Sequence, residues 1–151
     1  MSNLYSPNLI AVNMAAKTKD SAIEQLISLL ESENRISSAA VFNDSVYERE
    51  NESTTEVGDY TAIPHGRSET VKDNSVCIAT LKKPVIWNYE TMEEIDIIFM
   101  LAVKKDSSDT HIEILSELAS KIMEENFISS IKKADNKNEI YHIITKKEDT
   151  K

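Results

Sequence analysis

The residue in the most unusual setting is a histidine. The chain of 151 residues contains only two glycines, against roughly 7% in an average protein. Both lie in one short segment, Gly58-Asp59-Tyr60-Thr61-Ala62-Ile63-Pro64-His65-Gly66. Glycine is needed where the backbone takes unusual angles or approaches another group closely. Proline fixes φ and removes an N–H. A sequence poor in both has gathered them around His65, just after an expected strand end, which is where α/β sheets place ligands. The competing reading is a turn that happens to contain a histidine.

His111 is the second candidate. It follows Thr110 in the first turn of an expected helix, where free N–H groups and the helix dipole favour an anion. The dipole disfavours a charged imidazole there, so a neutral His111 can donate a hydrogen bond. A surface histidine near a cap is the alternative. His142, between Ile140 and Ile143, reads as helix surface. Arg49, at the end of a helix, reads by itself as a solvated charge. Cys77 lies in the apolar run Val76-Cys77-Ile78-Ala79 and reads as a buried strand thiol, not a nucleophile.

Other chemistries fit poorly. Three histidines with no close pair do not give a zinc spacing. Neither a Gly-x-x-x-x-Gly-Lys-Ser/Thr phosphate loop nor a Gly-x-Ser-x-Gly elbow occurs. No metal or other cofactor is expected. A phosphoryl group would have to arrive from another protein.

The elements that must position these residues can be sketched from periodicity. Leu9 to Val12 is an expected strand. After Asp20, Ala22, Ile23, Leu26, Ile27 and Leu30 share a helical face, with Ser21 and Glu24 at capping-box spacing. A second helix is expected from Ser37 or Ser38 to about Arg49, then a polar loop from Glu50 to Asp59. Tyr60–Ile63 and Ser75–Leu81 read as strands. Ile95 to Val103 is almost continuously apolar, as in a strand covered on both faces. Ser107 to Thr110 reads as a helix start, with Thr110 and Glu113 as a capping pair and Ile112, Leu115, Leu118, Ala119 and Ile122 on the buried face. Further helix is expected at Phe127–Ile131 and Ile140–Ile144. The expectation is a single α/β domain over residues 1–151, a mixed central sheet with helices on both faces.

The bulk numbers agree with such a domain. At 17.0 kDa the chain can bury roughly 70% of its unfolded surface. A formal net charge of -9 opposes binding to nucleic acid or anionic lipid. No basic-then-apolar leader and no apolar run near roughly 20 residues is present, so no direct membrane insertion is expected and the cytosol is the expected compartment.

Ala62-Ile63-Pro64-His65-Gly66 resembles the active-site signature of the enzyme IIA domains of the mannitol/fructose class of the bacterial phosphotransferase system. Tyr47-Glu48-Arg49-Glu50 resembles that family's upstream Arg-Glu pair, Ser53-Thr54-Thr55 its Ser/Thr loop, and Lys83-Pro84-Val85-Ile86-Trp87 a Pro-x-x-Trp turn. Ile97 to Val103, followed by His111 and Leu115-Ser116-Glu117-Leu118-Ala119, resembles its downstream strand and histidine helix. The resemblance implies that His65 accepts phosphate from phosphorylated HPr and passes it to an enzyme IIB during sugar uptake. It places His111 and Arg49 around the active histidine. Glu69 is added as a candidate for orienting a histidine, against the reading of an exposed loop acid. Neutral His65 is the attacking form, so activity should fall below a pKa of roughly 6.5 if unperturbed. The family loop reads Thr-Gly-x-Gly-Asn-Gly-x; here Glu56 and Tyr60 replace two of its glycines, and a carboxylate aimed at the site would repel phosphate. No IIB or IIC module follows in this sequence, so separate partner chains are expected. Two rival readings are a regulatory IIA that signals its phosphorylation state and a non-catalytic binding module keeping the fold.

Overall fold

A computed structural model describes residues 4–106 and 108–146. After a short 3-10 turn at Pro7–Leu9 come β1 (Ile10–Met14), α1 (Lys19–Ser32), α2 (Ala39–Glu52), β2 (Glu56–Gly58), β3 (Thr61–Ala62) and β4 (His65–Ser68). They are followed by β5 (Ser75–Asn88), β6 (Glu93–Lys104), α3 (Ser108–Met123), α4 (Phe127–Lys133) and α5 (Lys137–Thr145). The sheet has six strands in the order β1-β5-β6-β3-β2, with β4 also paired to β6. β1 runs parallel to β5, and β3 and β4 run parallel to β6, while β5–β6 and β2–β3 are antiparallel.

The expected mixed α/β sheet with helices on both faces is therefore the architecture. Alternation along β6 divides the core. Ile98, Met100 and Ala102 join Ile23, Leu26, Phe42 and Val46 on the side of α1 and α2. Ile97, Phe99, Leu101 and Val103 join Ile114, Leu118, Ile131 and Ile140 on the side of α3, α4 and α5. A strand buried on both faces must be apolar at successive positions, which explains the run read from sequence.

Several local expectations are corrected. Thr18, not Ser21, caps α1: its side chain accepts from the Ser21 N–H, so the helix starts three residues before the presumed capping box. Ser38 caps α2 through the Val41 N–H, and the helix runs on to Glu52. Because α3 begins at Ser108, Thr110 lies inside it; Ser107, part of the expected helix-start cluster, lies outside the described residues. The buried face of α3 is Ile114, Leu118 and Ile122, whereas Ile112 is 63% exposed, Ala119 is exposed and Leu115 half-buried. The proline of Lys83-Pro84-Val85-Ile86-Trp87 is no turn. β5 continues through Pro84, and the pairing with β6 shifts register between Thr80 and Val85, where a residue without an N–H does least harm.

Tyr60 belongs to a turn, not to a strand. Gly58 ends β2 with φ 98°, and Asp59 and Tyr60 follow at 54° and 58°. Two positive φ values between paired strands are what a two-residue type I′ hairpin requires. Asn-Gly usually meets that requirement; this chain meets it with Asp-Tyr, and Lys132 of α4 stands 4.8 Å over the Tyr60 ring.

Candidate functional site

Pro64 lies between β3 and β4, and its carbonyl accepts from the Leu101 N–H at 3.0 Å. His65 then opens β4, opposite Leu101 of β6, with Gly66 opposite Ala102 and Arg67 opposite Val103. Side chains alternate along a strand. His65 and Arg67 therefore face α3, with Leu101 and Val103, while Gly66 faces α2. A Cβ on Gly66 would lie 3.0 Å from Phe42 Cε1, 3.0 Å from Ser45 Cβ and 3.3 Å from Val46 Cγ2. The two glycines thus answer two different demands: Gly58 a backbone angle, Gly66 the close seating of α2 on β4.

His65 is 7% exposed, and its Nδ1 lies 3.0 Å from the Ile63 carbonyl oxygen. A carbonyl only accepts, so Nδ1 carries the proton and donates. In the neutral ring this leaves the lone pair on Nε2. Burial lowers the His65 pKa below the usual histidine value; the Arg49 charge lowers it further, while the Ile63 hydrogen bond, Glu50 and Glu52 act the other way. Neutral imidazole with a free Nε2 is a nucleophile.

His111 reaches the same place from the second turn of α3. The two imidazole centroids are 5.1 Å apart, with the rings tilted by 45°. His111 Nε2 is buried without a protein partner. Burial lowers the pKa of His111, and the charges of His65, Arg67 and Arg49 push in the same direction. Arg49, in the last turn of α2, donates from Nη1 to the Ser53 carbonyl at 2.7 Å and acts electrostatically on both histidines. The fold therefore brings His65, His111 and Arg49 together.

Glu69 is not in this group. It is exposed in the turn after β4, and the contact that orients His65 is the Ile63 carbonyl. Glu56 is turned away to β5, where Asn88 Nδ2 donates to its Oε2 at 2.8 Å. Burial works to raise its pKa, but hydrogen bonds from Asn88 and Thr54 outweigh this and keep it low. Cys77 is buried beneath α1, and burial pushes its thiol pKa well up. His142 is exposed on α5, away from β4.

Arg67 is the residue the sequence reading passed over. It is exposed on the same strand face as His65. The signal was its spacing of two from His65, legible only once residues 65–68 are known to be a strand. His-Gly-Arg-Ser has no apolar alternation to announce one. Among the described residues no group of three His, Cys, Asp or Glu can hold a metal ion, and no helix is long and apolar enough to cross a membrane.

The family model described as "Phosphoenolpyruvate-dependent sugar phosphotransferase system, EIIA 2" matches residues 3–147. The fructose-specific EIIABC component of the phosphotransferase system of Bacillus subtilis (strain 168) is 25% identical over 146 residues, 95% of this chain and 23% of that protein. This chain thus spans less than a quarter of that relative's length. The nitrogen regulatory protein IIA-Ntr from Neisseria meningitidis superposes with a TM-score of 0.86 at 27% identity, covering 94% of this chain and 97% of that one. The mannitol IIA of Escherichia coli, solved in complex with phosphorylated mannitol IIB, superposes at 0.81 with 17% identity, over 95% of this chain and all of that one (100%).

Proposed function

This chain belongs to the EIIA 2 family of the phosphoenolpyruvate-dependent sugar phosphotransferase system, an enzyme IIA of the mannitol/fructose class, and from that premise we propose that His65 is the residue it phosphorylates. The observation that carries the reading is the pinned ring: Nδ1 donates to Ile63, which turns the Nε2 lone pair into the only basic nitrogen of the neutral imidazole.

Nε2 attacks the phosphorus of phosphohistidine in HPr. The bond from phosphorus to the HPr nitrogen breaks, and that nitrogen keeps the electron pair. Positive charge develops on the His65 ring and is stabilised by the Ile63 carbonyl and by Glu50 and Glu52, the groups that act to raise its pKa. Phosphoryl transfer is mostly positioning and charge stabilisation. Arg49 neutralises phosphoryl oxygens, the unpartnered Nε2 of His111 donates to one, and Arg67 adds a second guanidinium on the open side. The phosphate then passes to an enzyme IIB, so the chain serves sugar uptake from the cytosol. Glu56, tied to Asn88, does not oppose the incoming group.

The test is intact mass after incubation with enzyme I, HPr and phosphoenolpyruvate. One acid-labile phosphate is expected, absent in His65→Ala; an undiminished mass shift in that variant overturns the assignment. Losing His111 or Arg49 should slow labelling by about two to three decades, the scale of one preorganised donor. The pH profile follows from the lowered pKa of His65. The reactive ring is the neutral one, so the rate should hold as pH falls past roughly 6.5 and decline only through the lower, folded-state value. A rate halved at or above the ordinary histidine pKa would contradict the burial argument.

The likeness to the nitrogen regulatory IIA from Neisseria meningitidis supports a second reading, in which the phosphorylation state is signalled by binding other proteins. Mixing the phosphorylated chain with IIB domains of the same cell decides between them. Label transfer supports uptake; retention of label, with a protein that binds one phosphorylation state only, supports signalling.

A further inference from the structure

A buried charge pair outside the reacting groups ties α1, β5 and the Arg49 side of the site together. Lys19 opens α1, where a cation opposes the helix dipole, and it is 8% exposed, a costly place for an ammonium. Neither fact suits a helix start, so the reason for a lysine lies in its tertiary partners. Its Nζ is 2.9 Å from Glu50 Oε1, donates to the Trp87 carbonyl at 3.2 Å and stands 4.8 Å over the Trp87 ring. The other oxygen of Glu50 accepts from the Thr55 hydroxyl, and that hydroxyl accepts from Trp87 Nε1 at 3.3 Å. Four elements meet here: the start of α1, the last turn of α2, the loop after it and the end of β5.

Two short paths lead from this clasp to the site. Glu50 is the chain neighbour of Arg49 on α2. The Thr55 carbonyl accepts from the Ile63 N–H at 3.0 Å, and the Ile63 carbonyl is the acceptor that pins His65 Nδ1. We infer that the Lys19–Glu50 clasp, with Thr55 and Trp87, is a positioning device that holds Arg49 over the site and His65 in its Nδ1–H tautomer. Lys19 acts only through those residues, Glu50 also lends its charge to the His65 ring, and neither touches a phosphoryl group; the tautomer, more than the rate, therefore separates positioning from charge. A buried ion pair is weak support for stability alone, since apolar residues of similar volume often serve as well. The inference rests on the phosphocarrier reading for its rate test, but not for its tautomer test.

The decisive variant is the apolar pair Lys19→Met with Glu50→Leu, compared with wild type in urea denaturation, in single-turnover labelling from phospho-HPr, and in nitrogen-15 spectra of the His65 ring. Positioning predicts stability near wild type, labelling slower by at least about tenfold, the scale of a sub-ångström misplacement, and a mixture of His65 tautomers. Wild-type stability with wild-type rate and a single tautomer would show the clasp to be structural only. If the apolar pair does not fold, Thr55→Val, which cuts the path to Ile63 while leaving the ion pair, takes its place with the same two outcomes. If wild type itself takes no label, the phosphocarrier reading fails, and the tautomer alone decides: a mixture in the variant supports the clasp, an unchanged ring overturns it.

Discussion

At the end of α2, the turn bearing Arg49 is gripped from several sides, whereas the turn of α3 bearing His111 is held from one. The α2 end has the Lys19–Glu50 pair within it and the Arg49–Ser53 hydrogen bond beyond it, and the turns of α2 that lead to it, at Phe42, Ser45 and Val46, sit close over Gly66. α3 is seated by Ile114, Leu118 and Ile122, and turns outward Ile112, 63% exposed, and Met123, 84% exposed. The dipoles differ as well. Arg49 lies where a helix favours a cation, and His111 near the end where it favours an anion. One helix end offers a fixed charge; the other offers donors on an open surface. Substitutions near Arg49 should therefore cost stability and rate together, and those on the outer face of α3 should leave stability alone.

The largest effect that can break this contrast is on the ion pairs. Lys19→Met strands the Glu50 carboxylate in the interior and should cost about 3–5 kcal/mol in urea denaturation. Lys132→Met, on the α4 side, removes a looser contact to Asp96 at 3.5 Å from a lysine side chain 38% exposed. Solvent screens that pair, so the loss should stay below about 1 kcal/mol. Equal losses would mean that burial does not distinguish the two sides.

Next come the glycines. Gly66→Ala must push α2 away from β4 and should cost about 1–3 kcal/mol, as overpacking does, with slower phosphoryl transfer because Arg49 moves too. Gly58→Ala has open space around it, so only its φ of 98° is strained. A loss of about 1–2 kcal/mol is expected there, with the labelling rate unchanged. A slowed rate in Gly58→Ala would show that the hairpin, and not only α2, sets the site.

The smallest effect sharpens the open side. Ile112→Ser should change the free energy of unfolding by no more than about 0.5 kcal/mol, as for an ordinary surface position. A loss above 2 kcal/mol would place Ile112 in the core after all.

How far the sequence carried the reading depends on the kind of information each residue holds. The rarity of glycine around His65 is visible without coordinates, because a backbone demand leaves its mark on residue type. The apolar run of β6 is visible for the same reason, since burial on both faces excludes polar residues. The α3 face was misread because a period of 3.6 allows two apolar sets, Ile112-Leu115-Ala119 and Ile114-Leu118-Ile122. Only the sheet beneath decides which is covered.

From sequence alone follow the mixed α/β fold, the unusual setting of His65 and the family to which the chain belongs, since each rests on local pattern and ordered motifs. The tertiary structure alone decided that residues 65–68 pair with β6, which puts Arg67 on the face of His65. It also decided that Ile63 fixes the ring nitrogen, that Glu56 turns to Asn88, and that a lysine at a helix start meets a glutamate 31 positions later at 2.9 Å. Apart from the Ile63–His65 contact, which spans two residues but depends on how β4 is seated, those are contacts between segments distant in the chain. No local propensity encodes them, because their energy exists only once the sheet has brought the partners out of water and within reach.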